Sequence, residues 1–75
     1  MKVLIVEDER SLADALEYII KHAGYSADAV YTGDDALAYA LGASYDVIVL
    51  DVMLPDMDGF QIVSTLRAHG NHTPV

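Results

Sequence analysis

Short apolar runs alternate with stretches of helical period along the whole chain. Val3, Leu4, Ile5 and Val6 are consecutive, rich in β-branched side chains and bounded by charge, which predicts a strand buried on both faces. From Ser11 the apolar positions Leu12, Leu16, Ile19, Ile20 and Ala23 recur at the spacing of one helix face. Ser11 and Asp14 fit a capping box for that helix, a start one turn earlier is equally compatible, and Gly24 supplies the stop. Tyr25 to Tyr31 reads as a weaker strand at an edge, because Ala27, Ala29 and Val30 offer little bulk. Thr32-Gly33-Asp34-Asp35 then opens a second helix that buries Ala36, Leu37, Ala40 and Leu41 and ends at Gly42. Asp46 to Asp51 gives the clearest buried strand of the chain. Asp58 and Gln61 form the capping box of a third helix that packs Phe60, Ile62, Val63 and Leu66 and closes at Gly70.

The order βαβαβα with short connections predicts an α/β fold, a parallel sheet with helices on its faces. Thr73-Pro74-Val75 resembles the approach to a fourth strand. Val47 to Leu50 is apolar on both faces, so a neighbour is expected on either side. With the first strand on one side, the other edge is expected to be bare, and a bare apolar edge invites pairing with another copy.

Seventy-five residues make at most one small domain, and a domain of that size buries only about 60% of the surface its unfolded chain exposes. The absence of cysteine excludes disulfide staples and thiolate metal sites. No apolar run approaches the roughly 20 residues that span a bilayer, and the N-terminus meets Glu7-Asp8-Glu9 too early for a signal peptide, so a cytoplasmic protein is expected. Twelve acidic against four basic residues give a net charge of −8. That charge repels the phosphates of nucleic acid, which are bound chiefly through Lys and Arg, so no direct nucleic-acid contact is expected of this segment.

Two of the three strands run into acid: Val6 into Glu7-Asp8-Glu9, and Leu50 into Asp51. Open parallel sheets bind ligands outside the carboxyl ends of their strands, and neighbouring strands lie roughly 4.8 Å apart. If the first and third strands are neighbours, Glu7, Asp8 and Asp51 share one pocket. Two charges about 5 Å apart repel by roughly 3 kcal/mol at an effective dielectric of 20, a large part of a small domain's stability. Mg²⁺ suits such a pocket, because it binds through one or two carboxylates, retained waters and phosphate oxygens. An Asp carboxylate beside it can act as nucleophile toward a phosphoryl group.

Val6-Glu7-Asp8-Glu9 and the later run Leu50-Asp51-Val52-Met53-Leu54-Pro55-Asp56-Met57-Asp58-Gly59 resemble the receiver domains of two-component response regulators. The acidic pair, the acceptor Asp, and Pro55 and Gly59 beyond it all fall at that family's spacing. The resemblance implies a flavodoxin-like fold, with strand order 2-1-3 for the part present. It also implies that Asp51 accepts a phosphoryl group from the phosphohistidine of a sensor histidine kinase. Asp8 and Asp51 would ligate Mg²⁺ directly, Glu7 through water, and Met53 through its backbone carbonyl, with Pro55 and Gly59 shaping the loop. By the same resemblance residues 1–75 are a partial receiver. The hydroxyl-bearing residue after a fourth strand, the aromatic switch residue, the lysine after a fifth strand and the output domain that would regulate transcription all lie outside them.

Other readings compete. A truncated receiver can act as an interaction or dimerisation module through an open third-strand edge. A Mg²⁺-dependent phosphohydrolase with an aspartyl nucleophile would carry a second Asp where Met53 stands. Glu7 and Asp8 can alternatively serve as caps of the first helix, where negative charge is favourable. Glu9 reads as a solvated neighbour of the site, Asp14, Glu17, Asp28, Asp34, Asp35, Asp46 and Asp56 read as solvated surface or caps, and His22, His69 and His72 have no ligand spacing among them.

Overall fold

In the computed structural model, which describes residues 1–75, six elements follow one another: β1 (Lys2–Val6), α1 (Arg10–His22), β2 (Ser26–Val30), α2 (Gly33–Gly42), β3 (Val47–Leu50) and α3 (Gly59–Ala68). The strands are parallel in the order β2-β1-β3, as the resemblance implied. Val3 lies opposite both Ala27 and Val47, and Val6 opposite both Val30 and Leu50. The central strand is therefore the one whose residues 3–6 are all buried. Its period of two sends Leu4 and Val6 to one face, with Val30 and Ile48, against Ala36 and Ala40 of α2 and Ile62 and Leu66 of α3. Val3 and Ile5 go to the other face, with Ala27, and meet Leu16 and Ile20 of α1, with Ala29 and Val47 beside them.

Local chemistry sets the helix ends. Thr32 Oγ1 accepts the Asp35 N–H at 3.2 Å to start α2. Asp58 and Gln61 form the expected reciprocal capping box of α3, at 2.9 and 3.2 Å. Both α1 and α3 end in a Schellman turn: Gly24 and Gly70 stand at φ 96° and 76°, and the following N–H groups of Tyr25 and Asn71 return to Ile20 O and Leu66 O.

Four expectations need correction. First, the cap of α1 is Glu9 and not Ser11, so the earlier of the two compatible starts holds, shifted by less than a full turn. Its carboxylate accepts the N–H groups of Ser11 and Leu12 at 3.1 and 2.9 Å, which starts the helix at Arg10. Second, the docked face of α1 is Ala13, Leu16 and Ile20; Leu12 and Ile19 lie outside it, Ile19 61% exposed. Third, Leu41 and Phe60 are exposed, because α2 and α3 dock through Ala36, Ala40, Ile62 and Leu66.

Fourth, β3 is buried on one face only. It spans Val47–Leu50 and not Asp46 to Asp51, and Val49 is 42% exposed because α1 covers β1 and β2. Its outer edge is also not wholly bare. The Ile48 N–H turns away from β1 and donates to Pro74 O at 2.8 Å. Arg67 Nη1 donates to Asn71 O and Thr73 O, while Asn71 Nδ2 holds Ala40 O and its Oδ1 accepts from Thr73. This lattice of bonds lays residues 73–75 alongside β3 in the place of a fourth strand.

Candidate functional site

The carboxyl ends of β1 and β3 carry the acids, and the sheet ladder continues one residue past each strand to fix them. Glu7 N–H donates to Val30 O at 3.1 Å, and Asp51 N–H donates to Val6 O at 3.0 Å. Each acid is thereby held on a rigid backbone at the seam of two strands. One carboxylate oxygen from each of Glu7, Asp8 and Asp51 lies within 4.8 Å of the others. Glu7 and Asp51 are half-buried and Asp8 is exposed. Glu7 and Asp8 are not the caps of α1, since Glu9 fills that role.

The electrostatics of the cluster are lopsided. Asp51 sits below the usual carboxylate range, chiefly because the Met53 N–H donates to its Oδ1 at 3.1 Å, and further through hydrogen bonding with Glu7. Glu7 is pushed up, first by its hydrogen bond with Asp51, then by burial and by the charges of Asp51 and Asp8. Glu7 Oε2 is buried and has no donor in reach. It lies in a cluster of carboxylates, where a cation can satisfy it. An orphaned buried oxygen inside a cluster of three carboxylates fits a hard divalent cation, the kind of ion that takes oxygen ligands.

The loop between β3 and α3 surrounds the site. Met53 pairs with Asp58 in an isolated antiparallel bridge, so its backbone is fixed although the residue is 82% exposed. Pro55 lies at the exposed tip, and the chain contains no cis peptide bond. Gly59 is buried, its N–H donating to Val52 O at 2.8 Å. A Cβ there would stand 3.0 Å from Val52 Cα, so a side chain at position 59 would push the loop away from Asp51. Asp58 is the α3 cap.

One acid of this loop caps a distant helix. Asp56, read from the sequence as solvated surface or a cap, accepts the N–H groups of Gly33 and Asp34 at 2.8 and 3.0 Å, one on each oxygen. Those two bonds hold its carboxyl below the usual range. No spacing in the sequence signals this, because the partners are backbone groups of another element. The histidines take other roles: His69 Nδ1 lies 2.8 Å from Thr65 O, and His22 stacks on Tyr18 with ring centroids 5.6 Å apart.

The family profile described as "Response regulator receiver domain" matches residues 3–75. The chain is 41% identical over 75 residues to the transcriptional regulatory protein DltR of Streptococcus agalactiae, covering all of this chain and 34% of that protein. Among solved structures, the receiver domain of Francisella response regulator 1452 superposes with a TM-score of 0.93 at 32% identity, over 99% of this chain and 61% of that one. The response regulator TrrA of Thermotoga maritima, solved in complex with Mg²⁺-BeF, superposes at 0.85 with 26% identity, over 91% and 59% of the two chains. The chain thus spans about a third of the curated relative's length. No helix is long and apolar enough to cross a membrane. With a matching profile over nearly its full length, a sheet in the order 2-1-3 and an acidic cluster at the strand ends, the chain belongs to the response regulator receiver domain family.

Proposed function

We propose that the chain is a cytoplasmic phospho-accepting switch that takes a phosphoryl group onto Asp51 from the phosphohistidine of a sensor histidine kinase. The observation that carries this reading is the convergence of Glu7, Asp8 and Asp51 around a buried oxygen with no donor. Asp8 and Asp51 would hold Mg²⁺ directly, with Glu7 acting through water and the Met53 carbonyl as a further oxygen. When bound, the ion offsets the charge on the transferring phosphoryl oxygens. Asp51, kept ionised by the Met53 N–H, forms the new O–P bond as the P–N bond to the kinase histidine breaks. The imidazole leaves with the bonding electron pair and takes a proton. The product is an acyl phosphate and not a released molecule, so the domain is a signalling acceptor rather than a turnover enzyme. The phosphoryl group carries about −1.5 to −2 where the ionised carboxylate carried a single negative charge, and the difference then biases the surrounding loop. The resemblance to DltR, a transcriptional regulatory protein, supports control of transcription as the output.

Intact-mass spectrometry after incubation with Mg²⁺ and a small acyl phosphate donor tests the reading, with Asp51→Ala as control. One phosphoryl adduct, lost in the control and in the presence of a chelator, is the expected result. An adduct that persists in Asp51→Ala rejects Asp51 as the acceptor. A second reading is self-association through the outer edge of β3 beyond the Ile48–Pro74 bond, where the sheet has no further strand. Its check is whether the elution volume in gel filtration shifts with concentration when phosphate is absent.

A further inference from the structure

Between Asp51 and Gly59 the loop is tied at its base by the Gly59–Val52 hydrogen bond and by the Met53–Asp58 bridge. Its tip is tied to a different element altogether. Both oxygens of Asp56 are spent on the first two N–H groups of α2, donors that a helix leaves unsatisfied by construction. The third N–H of α2, that of Asp35, goes to its own Thr32 cap, and the Ala36 N–H closes the first turn onto Thr32 O. Met57 then packs on Gly33 so closely that a Cβ at position 33 would overlap the Met57 Cγ. Gly33 is buried under it, and Met57 and Leu54 both reach the α2–α3 side of the core. The loop tip and the start of α2 are therefore one mechanical unit, joined by two hydrogen bonds and one close packing contact.

We propose that Asp56 is a positioning residue for the metal site: it anchors the loop tip to α2 and so fixes the Met53 backbone beside Asp51. The proposal rests on the phospho-acceptor reading above. The path is short. The Asp56 carboxylate sets the tip, the tip sets Asp58, and the Met53–Asp58 bridge sets the peptide whose N–H already holds Asp51 Oδ1 at 3.1 Å. Loss of the anchor frees the Met53 carbonyl to leave its place, while Glu7, Asp8 and Asp51 stay where the sheet puts them. Interactions that orient metal ligands from behind are worth about 10- to 100-fold in affinity. The low end is expected here, since one of several oxygens is affected.

The test compares Asp56→Ala with Thr32→Ala in the full chain, by Mg²⁺ titration calorimetry and by amide hydrogen exchange in metal-free buffer. Thr32→Ala removes the helix's own cap without touching the loop, so it reports what a weakened α2 alone does. The expected result is a Mg²⁺ Kd raised about tenfold in Asp56→Ala, with faster exchange at Met53, Gly33 and Asp34. Thr32→Ala should bind Mg²⁺ as the unaltered chain does, and Asp56→Asn, which keeps one acceptor oxygen, should fall between and serves if the alanine variant does not fold. Unchanged Mg²⁺ affinity in Asp56→Ala, or an equal loss in Thr32→Ala, overturns the proposal and leaves Asp56 as a helix cap. An unaltered chain that binds no Mg²⁺ overturns the metal reading itself. In that case unchanged exchange at Met53 in Asp56→Ala also rejects the anchoring role.

Discussion

The two ends of the sheet use the same residue type for opposite purposes. Away from the carboxyl ends of the strands, Asp28 in the middle of β2 and Asp46 just before β3 each meet a donor. Asp46 accepts the Lys2 N–H at 2.6 Å, and Asp28 accepts the Tyr45 hydroxyl at 2.7 Å, with the Lys2 ammonium 4.9 Å from the Tyr45 ring centroid. At the carboxyl ends, three carboxylates face one another with the Met53 N–H as a donor to Asp51 and none for Glu7 Oε2. An acid supplied with donors stabilises the fold. An acid that faces other acids costs stability until a cation or a proton arrives, and a fold retains that cost where it serves chemistry. Asp56 shows that the distinction does not follow position. It lies in the loop of the site yet belongs, by its two donors, with the structural acids.

The largest effect expected from this contrast is stabilisation by metal. At a Mg²⁺ concentration about 100-fold above its Kd, unfolding should become harder by about 2.7 kcal/mol. In Asp51→Asn that gain should vanish, as read by thermal melts with and without the ion. Next comes Tyr45→Phe, which removes the donor to Asp28 and should cost about 1.5 kcal/mol with or without Mg²⁺. A Tyr45→Phe loss that disappears when Mg²⁺ is added would break the contrast. A smaller effect of opposite sign is expected for Asp8→Asn in metal-free buffer, a gain of about 0.5 kcal/mol, modest because Asp8 is exposed and water screens its repulsion. If Asp8→Asn instead destabilises the metal-free chain, Asp8 is a structural acid and the division between the two ends fails.

The smallest effect is a pH dependence at Asp56. Its carboxyl is lowered from the ordinary 3.8 by the Gly33 and Asp34 N–H groups. The unfolded chain therefore binds the proton first, and the contribution of Asp56 is complete above pH 3.8 and fades as pH falls through its folded value. Melting temperatures of the unaltered chain and Asp56→Asn should differ at pH 5 and converge on further acidification.

Much of this was legible from residue spacing. The six elements, the capping box of Asp58 with Gln61 and the stops at Gly24 and Gly70 are local features, and local rules read them. The convergence of Glu7, Asp8 and Asp51 followed from strand adjacency once the first and third strands were taken as neighbours. What escaped was tertiary. Periodicity marks the apolar arc of α1 but not which part of it docks, so Leu12 and Ile19 were expected in the core and Ala13 was not. The Glu9 cap was hidden by Ser11, a better cap by type, two residues later. Asp56 and the Tyr45–Asp28 pair make their bonds to groups 17 to 23 residues away, and nothing in the local sequence marks a donor at that distance.

The bond from Ile48 to Pro74 has a kinetic consequence. Pairing a new strand normally requires a search over registers, and a slip of one residue would send every side chain to the wrong face. Here the first rung is already in place, held by Arg67 and Asn71, with Leu50 as the next position along the same edge. An extended segment arriving at β3 only has to zip from a fixed starting point. The slow step of adding a strand becomes a local one.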